Sequence, residues 1–348
     1  MFNDYKKKEI QTDRLKISYL EAGDPTKETL VLIHGNTSSS VFYIPTMEAL
    51  KDEFHIFAPD LRGYGHTERK PIDATTGMGM WAKDIRSFIE ALDLKNPHLI
   101  GWSMGGGIAV EYTLNHADEV KSLGLINPLS PFGFSGTKGA EGKIVNPSHS
   151  GTGAGLVNPS FIKSLEEKSR DLDNPFSAPN VLKGLFAKDY VLDKELETLF
   201  VDGMLDMALG EDYYPGDAVP TTEWPNMGPG KKGIINAMSP KYVNLNNLIH
   251  LKDKPPIIWF RGAQDTIVSD ASLSDIGQLG KLGFIPGWPG EDTYPPHPMV
   301  TQTRRLLRQY EKEGGFIKEV VFDESGHSPQ IEESAKFVKE YEDFLDSL

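Results

Sequence analysis

A single serine hydroxyl stands among four glycines in the segment GWSMGGG, residues 101–107. The segment lies between the apolar run HLI and the helix-like run IAVEYTL. A side-chain oxygen at the tip of a strand-to-helix turn requires a strained backbone, which leaves no room for large neighbours two positions away. Gly101 and Gly105 provide that room around Ser103. The pattern predicts that Ser103 is a nucleophile.

The helix expected after Ser103 begins at Met104. Its free amides and the positive end of its dipole would therefore point to the place where an oxyanion forms beside the serine. Such a glycine-rich turn also occurs where it only joins a strand to a helix, and the motif carries chemistry only in the context of strand, sharp turn and helix. The nucleophile hypothesis therefore depends on a base and an acid elsewhere in the chain.

A serine hydroxyl needs a base within hydrogen-bond reach, and the base needs a carboxylate that orients it. Among the nine histidines, His327 directly follows a predicted strand and lies in the small-residue loop SGHS. His34 also ends a predicted strand, but it belongs to the turn that presents Asn36, and we expect a structural role for it. Three further histidines are alternative pocket residues: His66, His250 and His297.

The best candidate for the acid is Asp265, three residues past Gly262 at the end of the penultimate predicted strand. An aspartate at a strand end often only caps a turn or helix. Here the chain order of nucleophile, acid and base is that of enzymes with a nucleophile elbow. The reserve candidates for the acid are Asp270, Asp323 and Glu324.

Composition narrows the class of protein. The 348 residues are 39% apolar and 25% charged, which is typical of a soluble globular protein. The absence of cysteine excludes disulfides, thiol catalysis and cysteine metal sites, and we expect no metal and no cofactor. A net charge of -14 disfavours nucleic acid and anionic membranes as partners. The start, MFNDYKKKEI, has no apolar core of signal-peptide length, so we expect a cytoplasmic protein.

Short apolar runs alternate with helix-like segments along most of the chain, which predicts an α/β fold with a doubly wound, mostly parallel sheet. One or two edge strands are expected within residues 9–22. The later strands are predicted at residues 29–35, 54–60, 98–100, 120–127, 255–262 and 316–325. In such sheets ligands bind at the carboxyl ends of the strands, where the candidate residues lie.

The alternation breaks at Pro131, which predicts an insertion. We expect a first part of the catalytic core at residues 1–130, a mainly helical cap or lid at 131–250, and the second part of the core at 251–348. The segment Gly133 to Gly155 contains seven glycines and little to bury. It is therefore predicted to be a mobile loop or hinge at the entry to the cap.

Five motifs together resemble the α/β-hydrolase superfamily: HGNTSSS, PDLRGYGHT, GWSMGG, GAQDTIV and GHSPQIEE. They flank the insertion, so the resemblance covers the catalytic core and not the cap. It implies Ser103 as nucleophile, Asp265 as acid and His327 as base. By the same comparison, the backbone amides of Asn36 and Met104 would form the oxyanion hole. Four residues of the second motif are expected to be structural: Asp60, Arg62, Gly63 and Gly65.

The identity of the nucleophile separates this chain from similar enzymes, because haloalkane dehalogenases and epoxide hydrolases use aspartate at that position. A serine triad instead implies an acyl-enzyme formed from a carboxylic ester, a lactone or an amide. Two other classes with this fold remain open. One is a non-hydrolytic enzyme, such as a cofactor-free peroxidase or a hydroxynitrile lyase, and the other is a ligand receptor without activity.

The aromatic residues of the insertion and of the 283–298 loop suggest a pocket for a medium-sized hydrophobic small molecule. The candidate substrate-binding residues are Trp102, Trp224 and Trp288. Most of the other large side chains there are expected to form cap core: Phe200, Met204, Met207, Tyr213, Phe284 and Tyr294. The sequence does not indicate an oligomeric state.

Overall fold

The computed structural model describes residues 5–348, so the first four residues of the segment MFNDYKKKEI lie outside the described part of the chain. The strands are β1 (Lys8–Gln11), β2 (Lys16–Ala22), β3 (Glu28–Ile33), β4 (Phe54–Pro59), β5 (His98–Trp102), β6 (Ser122–Ile126), β7 (Thr137–Lys138), β8 (Lys143–Ile144), β9 (Ala218–Pro220), β10 (Met227–Pro229), β11 (Ile257–Gly262) and β12 (Ile317–Phe322). The helices are α1 (Ile44–Leu50), α2 (Gly79–Ala91), α3 (Met104–His116), α4 (Pro159–Glu166), α5 (Ala178–Lys183), α6 (Lys194–Leu205), α7 (Ile234–Ala237), α8 (Ile276–Lys281), α9 (Met299–Lys312), α10 (Pro329–Glu332) and α11 (Ser334–Leu345).

Eight strands form one sheet in the order β1-β2-β4-β3-β5-β6-β11-β12. The pairs β1/β2 and β2/β4 are antiparallel, and all other pairs are parallel. Strand β5 is central and fully buried, as its apolar sequence requires in a sheet covered on both faces. Register places Gly101 opposite Ile33 and Trp102 opposite Ile126, so the carboxyl ends of β3, β5 and β6 lie side by side.

Two groups of helices cover the sheet. Helices α2, α3 and α9 contact one another directly or through the 3-10 turn Asn246–His250, while α1, α10 and α11 form the other group. Helix α11 buries Phe337, Tyr341 and Phe344 on one side, and Phe337 packs on Phe260 of β11. This arrangement confirms the predicted doubly wound, mostly parallel α/β sheet. No helix within residues 5–348 is long and apolar enough to cross a bilayer.

The chain between β6 and β11 contributes no strand to the eight-stranded sheet. It holds helices α4 to α7 and two small ribbons, β7/β8 and β9/β10, joined by long irregular stretches. The sequence pattern predicts helices near residues 161–169 and 194–209, and α4 and α6 lie there; α5 has no predicted counterpart. We call residues 131–250 the cap, and residues 266–285, between β11 and α9, the second cover.

The glycine-rich segment 133–155 differs from its predicted form. It was expected to bury little, but Thr137 and Thr152 are fully buried. The hydroxyl of Tyr294 donates to the carbonyl oxygens of Ser150 and Gly151 at 3.2 and 3.0 Å. A Cβ on Gly151 would lie 2.0 Å from that hydroxyl. The glycines therefore allow close packing, and the expectation that this segment buries little is wrong.

The end of β11 is in close contact with the loop that follows β12. A Cβ on Gly262 would lie 1.8 Å from the carbonyl oxygen of Gly326 and 2.4 Å from that of Ser325. Backbone atoms cannot move aside as a flexible side chain can, so only glycine fits at this position. The two loops that follow β11 and β12 are thereby held against each other.

Gly262→Ala is expected to lower the free energy of unfolding by about 1–3 kcal/mol, because the added methyl group meets main-chain oxygens. The matched control is Gly79→Ala, whose Cβ would meet nothing nearer than Glu111 Oε1 at 3.7 Å. Urea unfolding of both variants checks the prediction. Equal midpoints for the two variants would contradict the close approach described here.

Candidate active site

Ser103 lies at the tip of the turn from β5 to α3, with φ 57° and ψ −121°. This left-handed backbone conformation is costly for a residue other than glycine. A Cβ on Gly101 would lie 2.3 Å from the carbonyl oxygen of Gly105, and a Cβ on Gly105 would lie 2.1 Å from that of Ile33. The flanking glycines therefore allow the turn to be tight enough to present the Ser103 hydroxyl.

Asp265 and His327 are hydrogen-bonded, with Asp265 Oδ2 2.7 Å from His327 Nδ1. Both side chains are almost fully buried. The second oxygen of Asp265 accepts from the amides of Ile267 and Val268 at 2.7 and 3.0 Å. A carboxylate fixed in this way selects the tautomer with the proton on Nδ1. Nε2 of His327 is then left as the acceptor.

The main chain of His327 is fixed as well. Its carbonyl oxygen accepts from Trp102 Nε1 at 2.8 Å and from Asn127 Nδ2 at 2.9 Å. Its amide donates to the carbonyl oxygen of Leu185, in the cap, at 2.9 Å. Asn127 was missed as a site residue by sequence reasoning, although its place directly after β6 was a usable signal.

Ser103 and His327 line the same cavity, of about 490 Å³. The cap side of its wall includes Leu156, Val181, Leu185, Tyr214, Ile235 and Met238. The second cover contributes Ile267, Val268, Ile276, Leu279 and Ile285. None of the lining residues in the described part of the chain carries a carboxylate, ammonium or guanidinium group. The cavity is therefore suited to an uncharged, apolar ligand.

Asn36 and Met104 also line this cavity. Within residues 5–348, neither backbone amide donates to a protein acceptor. Met104 is the first residue of α3, where amides have no partner inside the helix, and Asn36 lies in the turn after β3. The buried hydroxyl of Tyr64 donates to Asn36 Oδ1 at 2.8 Å and lies 3.7 Å from Met104 Sδ. Burial raises the pKa of Tyr64, so this hydroxyl remains a donor. Tyr64 therefore contacts both residues whose amides are free.

His34 is completely buried beneath the same turn. Its Nδ1 lies 2.8 Å from the carbonyl oxygen of Gly35, and its Nε2 accepts from the amide of Leu61 at 3.0 Å. These partners assign the proton to Nδ1 of a neutral ring. Burial lowers the pKa of His34 from 6.5 to about 4. Its contacts are those of the structural residue expected from the sequence.

Asp60 and Arg62 take part in buried ion pairs. Burial alone would raise the pKa of Asp60, but the Lys7 ammonium, 2.5 Å away, and further partners outweigh it and the pKa is lowered. The Arg62 guanidinium donates twice to Asp84, at 2.8 and 2.9 Å. Neither Asp60 nor Arg62 lines the cavity, and Gly63 and Gly65 do not line it either.

Several residues that the sequence analysis named as site candidates do not line the cavity. Trp102 lines the cavity, but Trp224 and Trp288 do not, which corrects their placement as substrate-binding candidates. Their indole groups donate to Pro286 O and Tyr294 O, and so stabilise the loop beside the second cover. The three alternative histidines and the three reserve acids are also absent from the lining: His66, His250, His297, Asp270, Asp323 and Glu324. Asp270 instead accepts from Thr301.

Comparison with known proteins agrees with this architecture. Residues 28–144 match the family described as alpha/beta hydrolase fold. Among solved structures, an esterase from Exiguobacterium antarcticum superposes with a TM-score of 0.60 at 18% identity, covering 98% of this chain and 100% of the esterase. A carboxylesterase from Bacillus subtilis gives a TM-score of 0.60 at 15% identity, covering 98% and 91%.

Two curated relatives are similar in sequence. Lipase 3 of Moraxella sp. (strain TA144) is 29% identical over 192 residues, which are 54% of this chain and 57% of the lipase. Lipase 1 of Psychrobacter immobilis matches with the same identity and the same coverage. These matches span little more than half of the length of each relative.

The sheet, the family match over residues 28–144 and the structural neighbours show that this chain has the α/β-hydrolase fold. It is similar in sequence to lipases over 54% of its length, and similar in fold to esterases.

The low pKa of His34 predicts a stability change in acid. Between pH 6.5 and 4 the unfolded chain binds a proton at this residue and the folded chain does not, so stability falls as the pH falls. From pH 7 to pH 4.5 this residue accounts for a loss of about 2 kcal/mol. His34→Gln is expected to show a correspondingly smaller pH dependence, measured by urea unfolding at both pH values. The same dependence in variant and wild type would assign the acid sensitivity to other groups.

Proposed function

We propose that this protein is a serine hydrolase that cleaves carboxylic esters of medium-sized, uncharged substrates through an acyl-enzyme. The observation that carries the proposal is the buried hydrogen bond between His327 and Asp265, next to a cavity that also contains Ser103 on a strained turn. Nucleophile, base and acid each follow the carboxyl end of a different strand of the sheet.

In the proposed reaction the hydroxyl oxygen of Ser103 attacks the ester carbonyl carbon, and Nε2 of His327 takes the hydroxyl proton. Asp265 keeps the imidazole in the required tautomer and stabilises its positive charge. His327 then gives the proton to the departing alcohol, which leaves the acyl group on Ser103. A water molecule, deprotonated by His327, hydrolyses this ester and restores the serine.

The free amides of Asn36 and Met104 are proposed to bind the oxyanion of both tetrahedral intermediates. Met104 is the first residue of α3, so the positive end of the helix dipole adds to its amide. A donor that is already oriented stabilises the developing charge without reorganisation. Loss of one such donor typically costs about 10²–10³ in turnover.

The cavity supports the choice of substrate. Its wall is built mainly from aliphatic side chains of the cap and the second cover, and its polar groups are uncharged. A carboxylate or ammonium group on the substrate would lose its hydration there without gaining an ion pair. We therefore propose neutral acyl chains as substrates, in esters first and in lactones or amides as further candidates.

Ser103→Ala is expected to reduce ester turnover by about 10⁶ and to abolish covalent labelling by a fluorophosphonate, because the attacking oxygen is absent. Hydrolysis of a nitrophenyl ester and the mass of the labelled protein measure both effects. Ser160→Ala, on the exposed start of α4, is the matched control and keeps both properties.

The same assays separate the alternatives. The proposal is contradicted if Ser103→Ala retains most of the ester turnover. Binding of an ester without turnover or labelling would indicate a receptor. Labelling of Ser103 with little ester cleavage would indicate a lyase or a peroxidase.

A matched pair of esters tests the cavity. 4-Nitrophenyl hexanoate and the mono-4-nitrophenyl ester of adipic acid share a six-carbon acyl chain, but the adipate chain ends in a carboxylate. Burial of an unpaired carboxylate costs several kcal/mol, so kcat/KM is expected to be at least about 10²-fold lower for the adipate ester. The hydrolysis rate with Ser103→Ala provides the background. Equal kcat/KM values would show that the acyl chain does not enter the cavity.

A further inference from the structure

Glu332, the last residue of α10, binds the backbone on both sides of His327. Its carboxylate accepts from the amide of Gly326 at 3.0 and 3.1 Å and from the amide of Ser328 at 3.2 Å. A third amide, that of Ala187 in the cap, donates to it at 2.6 Å. One side chain therefore joins the loop of the candidate base to the cap.

The cap is in direct contact with this loop. The amide of His327 donates to the carbonyl oxygen of Leu185 at 2.9 Å, and Leu185 itself lines the cavity. A Cβ on Gly326 would lie 2.7 Å from the nitrogen of Ala187 and 2.7 Å from the carbonyl carbon of Phe186. Residues 185–187 thus lie against the backbone of the loop at Gly326, where a side chain would collide with them.

The placement of Glu332 is electrostatically unfavourable. Burial and the negative charge of Asp265 raise the pKa of this carboxyl, although three amides oppose the shift. The three amides find no other acceptor within residues 5–348. Buried amides need partners, and a carboxylate with two oxygens can serve several of them at once.

We propose that Glu332 is a positioning residue that fixes the His327 loop and joins it to residues 185–187 of the cap. This inference rests on the proposed function, in which His327 is the base. Glu332 touches neither Ser103 nor the cavity, so it acts only through the backbone that carries His327. Asp265, Trp102 and Asn127 still hold His327 when the Glu332 carboxylate is removed.

The two oxygens of Glu332 have different partners. Oε1 accepts from Gly326 and Ser328, while Oε2 accepts from Ala187 and Gly326. Glu332→Gln keeps one acceptor oxygen and turns the other into a donor that opposes an amide. The glutamine variant therefore loosens one side of the junction, whereas Glu332→Ala removes both sides.

The experiment measures kcat and KM for a neutral nitrophenyl ester in wild type, Glu332→Gln and Glu332→Ala. Because the backbone on both sides of the base is loosened, while Asp265, Trp102 and Asn127 still hold His327 beside the cavity, kcat is expected to fall about 10- to 100-fold in the alanine variant, with KM within about twofold of wild type. The fall is smaller in the glutamine variant. Glu340→Gln, which removes an equal charge on α11 where Glu340 pairs with Lys318, is the control and leaves kcat unchanged.

A second readout does not depend on turnover. The Nδ1 proton shared by His327 and Asp265 is expected to give a downfield proton resonance, which should shift or broaden in Glu332→Ala and remain in Glu340→Gln. Thermal unfolding confirms that each variant is folded; if the alanine variant is not, Glu332→Gln alone decides. An unchanged resonance together with kcat within twofold of wild type overturns the proposal. A wild-type protein without ester turnover refutes the proposed function, while the resonance still tests the positioning by Glu332.

Discussion

The hydrogen bond between His327 and Asp265 is the contact on which the candidate site depends, and it follows from the pairing of two neighbouring strands. Strands β11 and β12 are parallel, with Gly262 opposite Phe322 at their carboxyl ends. The acid lies three residues after one strand and the base five residues after the other. Only a glycine at position 262 allows the second loop to come close enough for the 2.7 Å contact. The strand register and the absence of a side chain at Gly262 thus bring Asp265 and His327 together.

Strand ends were predictable from the sequence because each is marked locally. Continuous apolar runs predicted the buried strands, and the residues after them supplied Ser103, Asp265 and His327. The glycines at positions 101 and 105 also carried a local signal, since the turn excludes larger side chains. The sheet and the placement of these residues along it could therefore be derived without coordinates.

The cavity wall could not be derived in this way, because it is formed by contacts between segments far apart in the chain. Val181 lies in α5 and Leu279 in α8, and neither sequence segment shows which face it turns to the site. Trp224 and Trp288 were substrate-binding candidates because they are large and aromatic, but they pack on the loop beside the second cover. The glycines of residues 133–155 were misinterpreted for a related reason. A glycine in an isolated loop allows the backbone to move freely. In this segment the same lack of a side chain allows Tyr294 to pack closely against the backbone.

The contact between the cap and the loop of the candidate base has a consequence for how molecules enter. A rigid-body rotation of the entire cap would separate residues 185–187 from the loop that carries His327. The amides of His327 and Ala187 would then lose their hydrogen-bond acceptors. Asn158 of the cap and Ser274 of the second cover, by contrast, are solvent-exposed residues of the cavity lining. A movement of the exposed segments around these two residues would leave the contact between residues 185–187 and the His327 loop intact. Substrate entry would then not require movement of the loop that carries His327.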